Sequence, residues 1–291
     1  MTRRDLAIGL AVPVIWGMGF VFAKAAIDHF PPILLMAFRF AVTALALVWF
    51  VRPPMGQLRI IALIAFVSAA IQYSLTFTGV AGLDASTAIL VIQSEVPFLV
   101  LLGWAFLGER PSRRKLIGVG IALLGVGLIA GEPSIQGAWV SLLMCLAGAF
   151  VWAVGQAMIR KMLPGIGGFQ LIAWVAIFAS PQLFVMSWIF ESDQVRLVQD
   201  AGPVVWGAVV YLGLVMTALG YGLWYRLVGK YPISQVGPFL LLLPVATVAG
   251  GTLVLGESLT LFVILGGAVV LTGLAFVVFE KTPQTAPKIA T

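Results

Sequence analysis

Between Ala85 and Leu107 an otherwise apolar run carries Gln93, Glu95 and Pro97, within the stretch Val91-Ile92-Gln93-Ser94-Glu95-Val96-Pro97-Phe98-Leu99-Val100. A carboxylate inside a run long enough to cross a bilayer is costly unless it finds a cation, a hydrogen-bonding pocket or a proton. Pro97 has no N–H, so it leaves the Gln93 carbonyl without its usual helical donor. On a helix Gln93 and Pro97 share a stripe with Ser86 and Trp104, while Glu95 points about 200° away from Gln93. Gln93 and Pro97 are expected toward a path through the protein and Glu95 toward another surface. Two roles stay open for Glu95: a neutral proton relay, or a structural carboxylate with a cationic partner. Lys24 and Arg39 are the intramembrane cations nearest to hand.

Other polar and aromatic residues fall into stripes. Pro13, Trp16, Phe20 and Lys24 lie close to one face of a helix, and Trp152, Gln156 and Arg160 form a matching face further on. Tyr221, Trp224 and Tyr225 share a broad face, and Tyr73 corresponds to Tyr221 in the repeat described below. Trp16, Tyr73, Gln93, Trp152, Gln156, Tyr221 and Gln235 are expected to line a pocket for a small amphipathic molecule, aromatic walls with a few polar groups, while Lys24, Arg39 and Glu95 are the candidates for a charge or coupling role. Trp and Tyr also mark membrane interfaces, and Lys or Arg near a helix end also snorkels to the headgroups. Pro97 and Pro244, like Pro13 and Pro181, are expected to bend helices, either at a wet cavity or simply for packing. Gly17 and Gly19 are packing candidates first.

Several classes of chemistry have no residues to support them. His29 and Cys145 are the only histidine and cysteine, so neither a zinc ligand set nor an intrachain disulfide can be assembled. No phosphate-binding G-x-x-x-x-G-K-[ST] loop occurs, which argues against a pump driven by ATP, and no residue set singles out an intramembrane enzyme. No cofactor is implied. The net charge of +6 and pI near 9.8 do not indicate nucleic acid, because the basic residues sit in short loops between apolar runs.

The elements that must position these residues follow from composition. The chain is 61% hydrophobic and 10% charged with mean hydropathy +1.09; soluble domains average about 45–50% apolar and about 25% charged. Too little polar surface remains to coat a water-soluble globule. Ten apolar stretches are long enough for spanning helices: 6–27, 32–51, 59–80, 85–107, 115–131, 137–159, 168–190, 203–225, 233–255 and 260–279. They are continuous rather than alternating, which excludes barrel strands. Lys and Arg crowd the loops on one side, and the other side keeps only Arg196, so both termini are expected in the cytoplasm. The N-terminal run outlasts a signal-peptide core and is needed by the repeat, so it is expected in the mature protein.

The chain also repeats itself. Tyr73 to Gly125 aligns with Tyr221 to Gly273 at a constant offset of 148, matching Ser86 with Ser234, Gly108-Glu109 with Gly256-Glu257, and Gly118 with Gly266. Trp16 to Lys24 and Trp152 to Arg160 share a spacing of eight at an offset of 136. Each half, 1–133 and 134–280, then holds five spans, followed by a cytoplasmic tail at 281–291. Five is odd, so the second half enters the membrane inverted, a plan common among secondary transporters. Gly108 and Gly256 suit left-handed helix ends, and Glu109 and Glu257 are expected to start the turn into the next helix.

Two segments carry a family resemblance. Pro97-Phe98-Leu99 running into Phe106-Leu107-Gly108-Glu109-Arg110, and Pro244 leading to Leu255-Gly256-Glu257-Ser258, resemble the paired signature of EamA-type transporters in the drug/metabolite transporter superfamily. The second copy has one residue more between Pro and Glu. Within that superfamily the chain most resembles bacterial inner-membrane exporters of amino acids, particularly aromatic ones. The resemblance implies an exporter of small amphipathic metabolites with no obligatory protein partner beyond the lipid around it. A polyspecific exporter of cationic drugs, coupled to protons through Glu95, is the alternative.

Overall fold

A computed structural model describes residues 1–108, 110–132, 137–231 and 233–279. Glu109, the Ser234 side chain and the 281–291 tail, all part of the expectations above, lie outside the described residues. The described chain is helical, with no strand. Its long helices are α1 (Arg3–Ile27), α2 (Pro32–Phe50), α3 (Leu58–Ala81), α4 (Ala85–Phe106), α5 (Arg113–Ala130), α6 (Trp139–Met162), α7 (Gly168–Phe190), α8 (Pro203–Val228), α9 (Gly237–Val254) and α10 (Leu261–Val278). Among the described residues nine of these are long and apolar enough to cross a membrane. The exception is α5, which opens on the basic run Arg113-Arg114-Lys115. A short helix, Gln194–Asp200, precedes α8.

Local chemistry sets many of the ends. Thr2, Ser112 and Thr260 cap α1, α5 and α10 by accepting the N–H of Asp5, Lys115 and Val263 at 3.2, 3.2 and 3.3 Å. Gly108 and Gly256 take φ of 69° and 70°, the left-handed conformation that lets the chain turn out of α4 and α9. Large apolar side chains such as Leu45, Phe106, Trp188 and Leu253 stay exposed around the bundle, as a surface facing lipid requires.

Glycines bring helices into backbone contact. A Cβ at Gly118 would lie 2.7 Å from the Gly273 carbonyl, and one at Gly125 would lie 2.7 Å from that of Gly266. The register is antiparallel and reciprocal: each contact between α5 and α10 maps onto the other when the two 148-offset partners are exchanged. Gly17 packs against α9, with the Leu243 carbonyl 2.9 Å from a built Cβ, and Gly19 packs against Met216.

Two pairs of irregularities interrupt the helices, the members of each pair at matching offsets. α3 carries a π-helical segment at Phe66–Ile71, and α8 carries one at Tyr211–Leu219 that spans the equivalent positions. α4 breaks at Gln93-Ser94 between Ala85–Ile92 and Glu95–Leu107. At the equivalent place α9 passes from a 3-10 turn, Gly237–Leu241, into Leu242–Val254. Pro97 and Pro244 each sit in the first turn after the irregularity. The Gln93 carbonyl that Pro97 leaves without a donor accepts instead from the Val96 N–H at 3.2 Å. Pro13 and Pro181, by contrast, lie inside continuous helices.

Candidate functional site

A cavity of 880 Å³ runs between the helices from Trp16, Tyr73 and Tyr221 near mid-bundle to the connection of α6 and α7 at Leu163, Pro164, Gly165 and Ile166. The π segment of α8 organises its inner end. In a π turn the carbonyls fall out of the ordinary ladder and become acceptors for other groups. The Trp16 indole N–H donates to the Met216 carbonyl at 3.0 Å, Thr43 Oγ1 donates to the Gly213 carbonyl at 2.9 Å, and Thr217 Oγ1 donates to Leu212 at 2.7 Å. Trp16 is thereby fixed with its ring 5.0 Å from that of Tyr221 and 5.9 Å from that of Trp224. Tyr225 continues the wall 5.8 Å from Tyr221, and across the space Phe40 meets Tyr73 edge-on at 5.0 Å.

The stripe Trp152, Gln156 and Arg160 of α6 lines the same cavity, as do Trp16, Tyr73 and Tyr221. Sequence spacing therefore brings five pocket candidates together. Two others stand apart: Gln93, half-buried at the break in α4, and Gln235, exposed in the turn Ile233–Val236, are not among the lining residues. Phe40, Ser68, Trp224 and Tyr225 also line the cavity. Trp224 and Tyr225 share the helical face of Tyr221, a signal that the alternative role at a membrane interface masks. Phe40 and Ser68 are one Phe and one Ser among many, with no sequence pattern to mark them.

The lining contains no Asp or Glu among the described residues; Arg160 is its one formal charge. Two further charges stand behind it. Arg39 is 1% exposed, with Nε donating to Thr217 Oγ1 at 2.9 Å and Nη2 donating to the Tyr73 hydroxyl at 3.5 Å. Its guanidinium carbon lies 4.9 Å from the centre of the Tyr73 ring and 5.5 Å from that of Phe40. Glu95 is half-buried one helical turn from Leu99, a lining residue, and has no hydrogen bond or ion pair among the described residues. Neither Lys24 nor Arg39 pairs with it.

The end of the bundle away from this opening is tied by charged groups. Lys24 Nζ donates to the carbonyls of Val80 and Ala81 at 3.1 and 2.8 Å, satisfying the C-terminus of α3. Glu191 accepts the N–H of Ile33 at 2.7 Å and of Leu34 at 3.0 Å, capping α2 from across the fold. Glu257 does the same for α4 rather than for the helix that follows it, which Thr260 caps. Burial pushes the Glu191 carboxyl above its ordinary value, partly offset by the N–H groups it accepts. Asp84 is raised by burial and then by the neighbouring charge of Glu257, with Lys24 pulling the other way. At the opposite end Asp5, 1% exposed, accepts from Lys230 Nζ at 2.6 Å and from the hydroxyls of Tyr231 and Thr2, both at 2.7 Å.

Apolar helices enclosing an aromatic cavity at mid-bundle define a multi-pass membrane protein built to hold a small molecule inside the bilayer. The chain belongs to the EamA-like transporter family, whose model matches it twice, at residues 5–131 and 139–279. It is 32% identical to a protein of Escherichia coli (strain K12) named "Probable amino-acid metabolite efflux pump", over 99% of both chains. A protein of the same name from Salmonella typhimurium is 31% identical over 96% of both. A solved crystal structure, 17% identical and covering 94% of this chain and 95% of its own, shares the fold at a TM-score of 0.65.

Proposed function

We propose that the chain is a secondary transporter that exports amino acids, aromatic or hydrophobic ones preferred, and related small metabolites across the bacterial inner membrane by alternating access. The observation that carries this reading is the cavity itself. Trp16, Phe40, Tyr73, Trp152, Tyr221, Trp224 and Tyr225 supply aromatic walls, while Gln156 and Arg160 offer donors to a carboxylate. The names of the two enterobacterial relatives agree with that substrate class.

Alternating access draws support from the matched irregularities. Reciprocal glycine contacts between α5 and α10, π segments at equivalent places in α3 and α8, and two matches to one family model fit two inverted repeats, 1–133 and 134–280. In that plan α5 also crosses the membrane and brings the number of spans to ten, its basic first turn lying at the cytoplasmic headgroups. With both termini cytoplasmic, the cavity opens inward and the end held by Lys24, Glu191 and Glu257 is the closed outer side. That is the state in which an exporter loads. In the same plan Pro97 and Pro244 let the two broken helices flex.

The alternative, proton-coupled export of cationic drugs, has less support because the one formal charge among the described lining residues, Arg160, is itself a cation. Efflux of labelled phenylalanine from loaded proteoliposomes separates the two. Competition by tryptophan, tyrosine and leucine with none by a quaternary ammonium dye is expected; the reverse order would replace this reading by the drug-export one.

A further inference from the structure

A guanidinium, Arg39, and a carboxyl, Glu95, stand near the inner end of the cavity without touching each other. Arg39 has no carboxylate partner and Glu95 has no donor of any kind among the described residues. Arg39 reaches the cavity wall through Tyr73, and Glu95 lies one helical turn before Leu99, a lining residue on the same helix. Each isolated charge is expensive at this depth. A pair placed near one cavity, yet not paired with each other, leaves room for a third group that completes both.

We propose that Arg39 and Glu95 select zwitterions at the inner end of the cavity, Arg39 acting through the Tyr73 hydroxyl on the α-carboxylate and Glu95 accepting the α-ammonium group. This rests on the reading of the chain as an amino-acid exporter and names what that reading leaves open, the basis of substrate choice. The geometry at Tyr73 carries the first half. Arg39 Nη2 donates into the Tyr73 oxygen at 3.5 Å, so the phenolic proton is directed elsewhere and has no acceptor among the described residues. A phenol polarised by a guanidinium, in a ring that lines the cavity, is a strengthened donor for an anion. Arg39 is therefore a positioning residue. The second half rests on Glu95, a carboxyl one turn from the lining residue Leu99 that accepts from an ammonium group once ionised. A net cation entering alone meets the field of Arg39, and a net anion meets that of Glu95. An amino acid satisfies both.

The test is equilibrium binding to the purified full chain, read by fluorescence of the cavity tryptophans, with three ligands: phenylalanine, phenethylamine, which lacks the carboxylate, and 3-phenylpropionate, which lacks the ammonium. The native chain should prefer phenylalanine to either analogue by about tenfold or more, the scale of one charge-assisted hydrogen bond. Glu95→Gln should weaken phenylalanine and phenethylamine and leave 3-phenylpropionate unchanged. Arg39→Gln should weaken phenylalanine and 3-phenylpropionate and leave phenethylamine unchanged. Tyr73→Phe, which keeps the ring, carries the same expectation if Arg39→Gln does not fold. A uniform shift for all three ligands, or no shift, would overturn the zwitterion assignment alone. Absence of binding to any of the three by the folded native chain would remove the amino-acid reading as well.

Discussion

The Glu257 carboxylate takes three hydrogen bonds from the first turn of α4: from the Ala85 N–H at 2.6 Å, the Ser86 N–H at 3.0 Å and the Ser86 hydroxyl at 2.5 Å. A helix start has N–H groups without internal acceptors, and Asp84, in the N-cap position, supplies no side-chain acceptor. Glu257, from the connection between α9 and α10, replaces it and pins those helices to α4. Glu257→Gln should lower stability by about 1–3 kcal/mol, the scale of hydrogen bonds to a charged group. Thermal unfolding in detergent reads the loss. Ser86→Ala, which removes one of the three bonds, should cost less than Glu257→Gln.

Glu191 makes the corresponding cap on α2, and its pH response has a definite sign. Burial raises its carboxyl above the ordinary 4.5, so the folded chain holds this proton more tightly than the unfolded chain does. The resulting stability is complete below the ordinary value and is lost as pH rises through the raised one. Against pH, the unfolding midpoint of the native chain should therefore fall more steeply across that window than that of Glu191→Gln. Parallel curves would contradict the linkage.

The crossing of α5 and α10 has no room for a side chain. At Gly125 a Cβ would meet the Val270 nitrogen at 2.6 Å and the Gly266 carbonyl at 2.7 Å, all backbone. Gly125→Leu should destabilise by about 1–3 kcal/mol or more through overpacking. Gly120→Leu, where nothing lies within 4 Å, should leave the unfolding midpoint nearly unchanged.

Trp16 is held by one hydrogen bond and two ring contacts. Trp16→Phe keeps an aromatic wall and removes the bond to Met216, so binding should weaken modestly. Trp16→Ala removes the wall and should raise the KM for an aromatic amino acid by about tenfold or more, since a buried aromatic pair contributes about 0.5–1.5 kcal/mol beyond its area.

Nine of the ten expected spans were readable because long apolar runs leave few alternatives, and the stripe Trp152-Gln156-Arg160 because helical spacing alone places it on one face. Gly108 and Gly256 were readable from their pairing with a glutamate at matching positions. The cap by Glu257 was not: in sequence it suggests the start of α10, yet its acceptors serve α4, far away in the chain. The π segments were hidden for a similar reason. Phe66–Ile71 and Tyr211–Leu219 look like ordinary helix, and the carbonyls they release find partners such as Trp16 only after the helices pack. Gln93 shows the limit of a face argument, because the helix that would carry its stripe breaks at that residue.

Counterflow in proteoliposomes tests the central claim most directly. Vesicles holding the full chain and loaded with unlabelled phenylalanine are diluted into labelled phenylalanine. The account predicts transient, saturable accumulation of label that excess tryptophan suppresses and Trp16→Ala diminishes. If folded protein gives no accumulation of label with phenylalanine or any other amino acid, the cavity is not an amino-acid site.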